Sequence, residues 1–379
     1  MIDTSKKSLA LHKKLHGKIG TISKIKKLTP SNLALLYTPG VGAVSQFLAT
    51  NKNASRDYTM KRNSVAVVSD GSAVLGLGNI GPEGALPVME GKALLFKVLA
   101  GIDAIPVVLA TQDTEEIIKT IKNIAPAFGG INLEDIAAPR CFEIESRLAA
   151  ELDIPVFHDD QRGTAVVVLA GILNALKVVN KKIERAYIVI NGVGAAGTAI
   201  AKLLNFAGAG NIVMVDSEGI VSASRADLPE HKKELLKFTN KKNISGDLKK
   251  ALFGADIFIG VSKGNLLTSK DIKLMASKAI VFAMANPIPE IMPLEAMRGG
   301  ATVVATGRSD FKNQINNVLV FPGLFRGLLD SNKKIVTEKM QQQAALALAG
   351  LVKKPTAVNI IPSVFDHRVA KCVARSIVK

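Results

Sequence analysis

Tryptophan is absent from the 379 residues, aromatics of all kinds make up only 4 %, and cysteine occurs twice. Two cysteines, Cys141 and Cys372, build no disulfide framework and have no metal-type spacing, which fits a reducing compartment and a cytoplasmic protein. Long apolar runs are missing too. The longest, Ala165–Leu173 and Ala344–Val352, stop at nine residues, against roughly 20 for a membrane-spanning helix. A soluble chain without a membrane partner is expected. The N-terminus lacks the apolar core of a secretory signal and the arginines of a transit peptide, and "GKIGTISKI" reads as folded chain. Internal repeats and low-complexity stretches are also lacking.

What the chain has in excess is positive charge, +17 overall. Residues 1–27 contribute +7 through eight lysines and one aspartate, and the rest is spread thinly. No basic stretch is interleaved with aromatics able to stack on bases, so nucleic acid is not an expected partner. The surface reads as lysine-rich and solvated.

The length suggests two domains, and 48 % hydrophobic residues with few aromatics describe aliphatic cores. Short apolar runs alternate with helical stretches: Val65–Val68, a helix near Leu86–Leu99, Ile105–Leu109, a helix near Thr114–Ile124, then Ile131. Further on, Ile188–Ile190, Ile212–Val215, Ile257–Ile259, Ala279–Met284 and Ala301–Ala305 read as buried strands. Such alternation implies an α/β fold with parallel sheets. Thr164–Val179 has the length and composition of a helix bridging two halves. The expected division is 1–160, an N-terminal α/β substrate domain, and 161–379, a Rossmann-like, doubly wound dinucleotide-binding domain with C-terminal helices.

"AYIVINGVGAAGTAIAKLLNFAGAGNIVMVD" carries Gly192-x-Gly194-x-x-Gly197 between an apolar strand and an alanine-rich helix. Gly192 suits the tight turn, Gly194 the approach of backbone to pyrophosphate, and Gly197 the close packing of helix on strand. The helix opening at Ala195 and Ala196 favours an anion at its N-terminus. Asp216, at the end of the next strand, suits ribose hydroxyls and repels a 2′-phosphate. NAD is the expected coenzyme, with NADP open if a basic neighbour offsets Asp216.

The stretch "DGSAVLGLGNIGPEGALPVMEGKALL" has six glycines before its one lysine, Lys92. Elsewhere "LLYTPGVGAVS" presents Tyr37, "GGINLEDIAAPR" presents Glu134 and Asp135, and "IPVFHDDQRGT" presents Asp159 and Asp160 at a strand end. Strand ends beside helix starts are where open α/β folds place ligand groups. Each has an ordinary alternative: a helix cap for Asp159 or Asp160, a solvated loop for Glu134–Asp135, a core position for Tyr37, a surface position for Lys92. His158 alone is no ligand set. Were three carboxylates to converge, they would select a hard cation such as Mg²⁺ or Mn²⁺.

Together "YTPGVG", the glycine-rich stretch through "EGKALLFK", "NLEDI", "FHDDQRGTA", "GVGAAG", "NPIPE" and "QINNVLVFPG" resemble the successive motifs of malic enzyme, in family order, from about Leu9 to the C-terminus. The compact length resembles the small bacterial type. The resemblance implies that Lys92 is the general base toward the 2-hydroxyl of malate and Tyr37 the acid that protonates the product. It implies Glu134, Asp135 and Asp160 as metal ligands and Asp159 as the carboxylate supporting the lysine. Asn286 and Asn317 match asparagines beside nicotinamide and substrate. One motif departs: larger members carry a carboxylate-clamping arginine where this chain has Ala73, which leaves that duty to another group, such as a backbone nest in the glycine-rich loop.

The lysine base needs a lowered pKa, for which burial and a nearby cation are the expected causes. The activity implied is oxidative decarboxylation of L-malate to pyruvate by a homodimer or higher homo-oligomer. A malolactic conversion with retained NAD, and a dinucleotide-binding regulator without turnover, are the alternatives.

Overall fold

The computed structural model describes residues 2–74, 77–226 and 228–378; Leu75 and Gly76 of the glycine-rich stretch lie outside the described residues. Two parallel sheets organise the chain. The first holds β1 (Ser64–Ser69), β2 (Asp103–Val108), β3 (Gly130–Leu133) and β4 (Val156–His158) in the order β2-β1-β3-β4. Strand β1 is buried along its whole length, as a strand covered on both faces must be. Its side chains alternate between faces. Val65 and Val67 meet Met89, Ala93 and Phe96 in one core, while Ala66 and Val68 share another with Ile117, Ile121, Ile144 and Leu148. The helices supplying those faces are Gly81–Ala100 on one side and Thr114–Ile124 with Arg140–Glu151 on the other.

The second sheet holds β5 (Tyr187–Asn191), β6 (Asn211–Asp216), β7 (Gly219–Ile220), β8 (Ile257–Gly260), β9 (Ala279–Ala283) and β10 (Ala301–Thr306). Its order is β10-β9-β8-β5-β6-β7, parallel except for the antiparallel edge strand β7. Because β6 and β8 flank β5 on opposite sides, the chain direction reverses there and opens a crevice beyond the carboxyl ends of β5 and β8. Strand β7 is not read from the sequence, since two residues carry no periodicity.

Helix Thr164–Val179 stands between the two strand sets and is buried over most of its length. The C-terminal helices pack back on both halves. Asn174 Nδ2 donates to the carbonyls of Ala349 and Ile360, each at 2.9 Å. Phe96 of the first half lies 4.7 Å from Phe321 and 5.4 Å from Phe325 by ring centroid, and Phe157 lies 6.0 Å from Phe325.

Two features of the chain are not read from the sequence. Residues 17–29, including "GKIGTISKI", form neither helix nor strand, and none of residues 4–63 is buried. This arm carries large exposed apolar side chains, Leu9, Ile22, Leu28 and Leu35 among them. Counting uninterrupted apolar runs also understates the helices. The stretches Pro30–Thr50, two helices joined at residues 37–40, and Asp159–Val179 are both long and apolar enough to cross a membrane by length and composition alone. The second is 72 % buried inside the protein, as a core helix is.

The phenylalanine cluster yields a stability test. Phe325→Ala removes a fully buried ring touching both halves, and should cost about 3–5 kcal/mol, read as a lower denaturation midpoint by circular dichroism.

Candidate active site

Three backbone devices converge at the carboxyl ends of β3 and β4. Glu134 follows β3, its N–H donating to the Val68 carbonyl at 2.9 Å. Asp135 takes a left-handed conformation, φ 54°, uncommon for a non-glycine residue, and its N–H donates to Asp160 Oδ2 at 2.7 Å. Asp159–Gly163 form a single π-turn between β4 and the bridging helix, a distortion frequent at functional sites. Gly163 is required there, because a Cβ would sit 1.9 Å from Asp159 Oδ1. As a result one oxygen each of Glu134, Asp135 and Asp160 lies within 4.8 Å of the others.

Helix Gly81–Ala100 brings Lys92 to this cluster. Its Nζ lies 2.6 Å from Asp159 Oδ2 and 2.8 Å from Glu134 Oε1, with the Phe321 ring centroid at 4.3 Å. Lys92 is 8 % exposed and Asp159 fully buried. Burial alone pulls the ammonium pKa down, but Asp159, Glu134 and Asp160 more than reverse it, so the net direction is up. The protein's own carboxylates favour the charged lysine, so the lowered pKa expected from sequence rests on the cation that would neutralise them. Burial raises Asp159 to about 7 against the pull of Lys92, and raises Glu134 and Asp160 as well. Asn132 Nδ2 holds the other Glu134 oxygen at 2.9 Å. His158, buried, is driven down to about 4 by desolvation and is neutral.

The dinucleotide loop lies at the crevice of the second sheet. Gly192 has φ 119°, and a Cβ on it would meet the Val261 carbonyl at 2.7 Å. A Cβ on Gly197 would stand 1.8 Å from the Gly192 carbonyl, whereas Gly194 faces open space. Ala195 and Ala196 open the helix Ala195–Phe206. Asp216 ends β6 and lines a cavity of about 580 Å³ with Gly192, Val193, Ser262 and Lys263. Sequence reasoning misses Glu290, fully buried, whose carboxylate accepts from the N–H groups of Ser262 and Ala285 at 3.1 and 3.0 Å. The acid of "NPIPE" is the available signal.

The remaining candidates fall unevenly. Asn317 touches the lysine site, its amide helping to hold the charge on Asp159. Asn286 is exposed just beyond β9. Tyr37 caps the helix Pro30–Leu36 and is 67 % exposed, which excludes a core role in this chain. Ala73 donates its N–H to the Asp135 carbonyl at 3.0 Å. A guanidinium does reach the "DG" motif from elsewhere: Arg140 Nε and Nη2 meet Asp70 Oδ2 at 3.2 and 2.9 Å. The glycines partly serve closure of their own loop, since Gly71 O accepts from both Ile80 and Gly81 and leaves no room for a Cβ.

Residues 17–149 match the family model of the malic enzyme N-terminal domain, and residues 161–379 that of the malic enzyme NAD-binding domain. The NAD-dependent malic enzyme of Geobacillus stearothermophilus is 53 % identical over the whole of this chain and 79 % of its own length. The bifunctional malic/malolactic enzyme of Bacillus subtilis is 52 % identical over 98 % of this chain and 92 % of its own. The crystal structure of an NAD-dependent malic enzyme from Thermotoga maritima superposes with a TM-score of 0.95 at 50 % identity, covering 98 % of both chains.

The glycine geometry predicts that Gly197→Ala, forced to open the Gly192 turn, weakens dinucleotide binding by about tenfold for each 1.4 kcal/mol of strain. Calorimetric titration with NAD, beside circular dichroism to confirm an intact fold, measures it.

Proposed function

The chain belongs to the malic enzyme family, and on that premise we propose that it converts L-malate to pyruvate and CO₂ while reducing a nicotinamide dinucleotide. The observation that carries the reading is a buried lysine, Lys92, clasped between Asp159 and Glu134 at the edge of a three-carboxylate cluster. A regulator without turnover would gain nothing from burying that charge. We divide the chain at residue 160, with the lysine and the whole carboxylate cluster in the first part and the coenzyme crevice in the second.

The donor set fits a hard divalent cation: all ligands are oxygens, two of the three carboxylates are buried, and an outer amide orients Glu134. Mg²⁺ or Mn²⁺ held by Glu134, Asp135 and Asp160 would polarise the substrate's 2-oxygen and, by neutralising the carboxylates around Lys92, free the amine to accept a proton. Asp159 holds Lys92 in place. Lys92 takes the hydroxyl proton of malate, and a nicotinamide coenzyme bound in the second part would accept the hydride from C2. After CO₂ departs from the β-keto acid, Tyr37 returns a proton to C3 and pyruvate leaves. The Phe321 ring, with its centroid 4.3 Å from the amine, helps keep Lys92 out of bulk water.

Tyr37 belongs to the arm that buries none of its own residues, so its placement calls for a second copy. We propose a homodimer in which the arm's apolar side chains pack on a neighbour and Tyr37 serves the neighbour's Lys92. The Bacillus subtilis relative favours a second product channel, malate to lactate with the coenzyme retained.

Product analysis decides between the channels. Pyruvate should form in step with reduced coenzyme, and lactate without it marks the malolactic route. Activity should fall with EDTA and return with Mn²⁺, and Lys92→Ala should lose a factor of about 10² to 10⁴. Full turnover by a chelated enzyme, or by Lys92→Ala, overturns the assignment.

The dimer makes a separate prediction. Mixing unfolded Tyr37→Phe and Lys92→Ala chains and refolding them together should restore about a quarter of wild-type activity, because half of the dimers carry one intact site. No recovery means that Tyr37 acts within its own chain.

A further inference from the structure

An aspartate at the end of the second Rossmann strand selects NAD when its carboxylate is free to take the ribose hydroxyls and repel a 2′-phosphate. Asp216 is not free. Its Oδ1 accepts from Arg225 Nη1 at 2.9 Å and from the Glu218 N–H at 2.9 Å, and its Oδ2 accepts from Lys232 Nζ at 2.6 Å. All three side chains are largely covered: 8 % exposed for Asp216, 18 % for Arg225 and 19 % for Lys232. Glu218, the other partner of Arg225, is 70 % exposed and strongly solvated. The cavity beside Asp216 adds the Ser217 hydroxyl and Lys263, which has no ion-pair partner among the described residues.

We infer that Arg225 and Lys232 are the coenzyme-discriminating residues of this chain, a cationic pair that clamps Asp216 when the ribose is unphosphorylated and takes up a 2′-phosphate when it is not. The inference rests on the coenzyme reading of this cavity. Two features of the clamp carry it. The pair neutralises the carboxylate whose charge would exclude NADP, so the repulsive element is cancelled by the protein itself. It also holds two donors of phosphate type, one planar and one a point charge, on the carboxylate that lines the cavity. Neither contact is needed to hold β6, whose ladder to β5 is complete without them. The chain therefore accepts both coenzymes, with Asp216 acting as the counter-ion that keeps the pair in place for NAD.

The test separates binding from turnover. Calorimetry compares AMP with adenosine 2′,5′-bisphosphate on the full chain, so its outcome stands even if the protein proves inactive on malate. The wild type should bind the bisphosphate at least as tightly as AMP, and the difference should shrink as salt rises. Arg225→Ala and Lys232→Ala should each lower the bisphosphate-to-AMP affinity ratio by about ten- to hundredfold, with Arg225→Lys recovering part of it. Asp216→Ser should raise that ratio. In the kinetic arm the NADP-to-NAD ratio of kcat/KM should follow the same order. Equal weakening of AMP and bisphosphate by the alanine variants would mean that the pair only braces its loop, and the inference fails. It fails equally if the wild type rejects the bisphosphate.

Discussion

One ammonium among four carboxylates is the constraint on which the site depends. Lys92 contacts Asp159 and Glu134 directly, and Asp160 and Asp135 complete the same buried neighbourhood. Removing ions from water is expensive, and breaking a buried pair typically costs about 3–5 kcal/mol, so the members hold each other. The charges do not balance, however. The surplus is negative, and it adds to burial in pushing the carboxyl pKa values upward, to about 7 for Asp159. A buried site with surplus negative charge takes up either protons or a cation. Three hard oxygen ligands within 4.8 Å of one another suit a cation better than separate protons.

The fold delivers these groups through one repeated device. Both sheets are built on parallel strands, so every strand of the first sheet ends on the same side, where the glycine-rich loop, Glu134–Asp135 and Asp159–Asp160 follow β1, β3 and β4. The second sheet does the same with Gly192–Gly197 after β5 and Asp216 closing β6. Helix Thr164–Val179 begins at the π-turn that presents Asp160 and runs in the core shared with Ile188 and Ile190. Geometry at the carboxylates and geometry at the coenzyme loop are thus set by a continuous rigid element. The phenylalanine contacts between the halves lock the same register from the other side.

Much of this architecture is legible in the sequence because period and burial leave marks. Every named strand except β7, and the helices Thr114–Ile124 and Thr164–Val179, follow from apolar runs and their spacing. The two-residue β7 leaves no such mark. The chemistry is legible as residue types but not as balances. Burial and a cation suggest a lysine with lowered pKa, whereas the carboxylates that surround it act the other way. The sequence likewise allows a basic neighbour for Asp216 without naming it, since Arg225 and Lys232 stand nine and sixteen positions away with no periodic relation to it. Pairings of this kind depend on loop paths, which composition does not encode.

Tyr37 is the informative exception. In a single copy it stands mostly in solvent, on an arm whose leucines and isoleucines find no core. Apolar burial contributes roughly 25 cal/mol per Å² removed from water, so a segment with no buried residue gains almost nothing from folding on its own chain. Its helices are also short, fourteen residues for Ile2–Leu15, seven for Pro30–Leu36 and ten for Val41–Thr50, at or below the length of about 12–15 residues at which an isolated helix is marginal in water. Order in this arm must therefore come from contact with something outside it. If that contact is a second copy, the same apolar burial that stabilises the arm also fixes the position of the tyrosine. Assembly and completion of the site would then be one event rather than two.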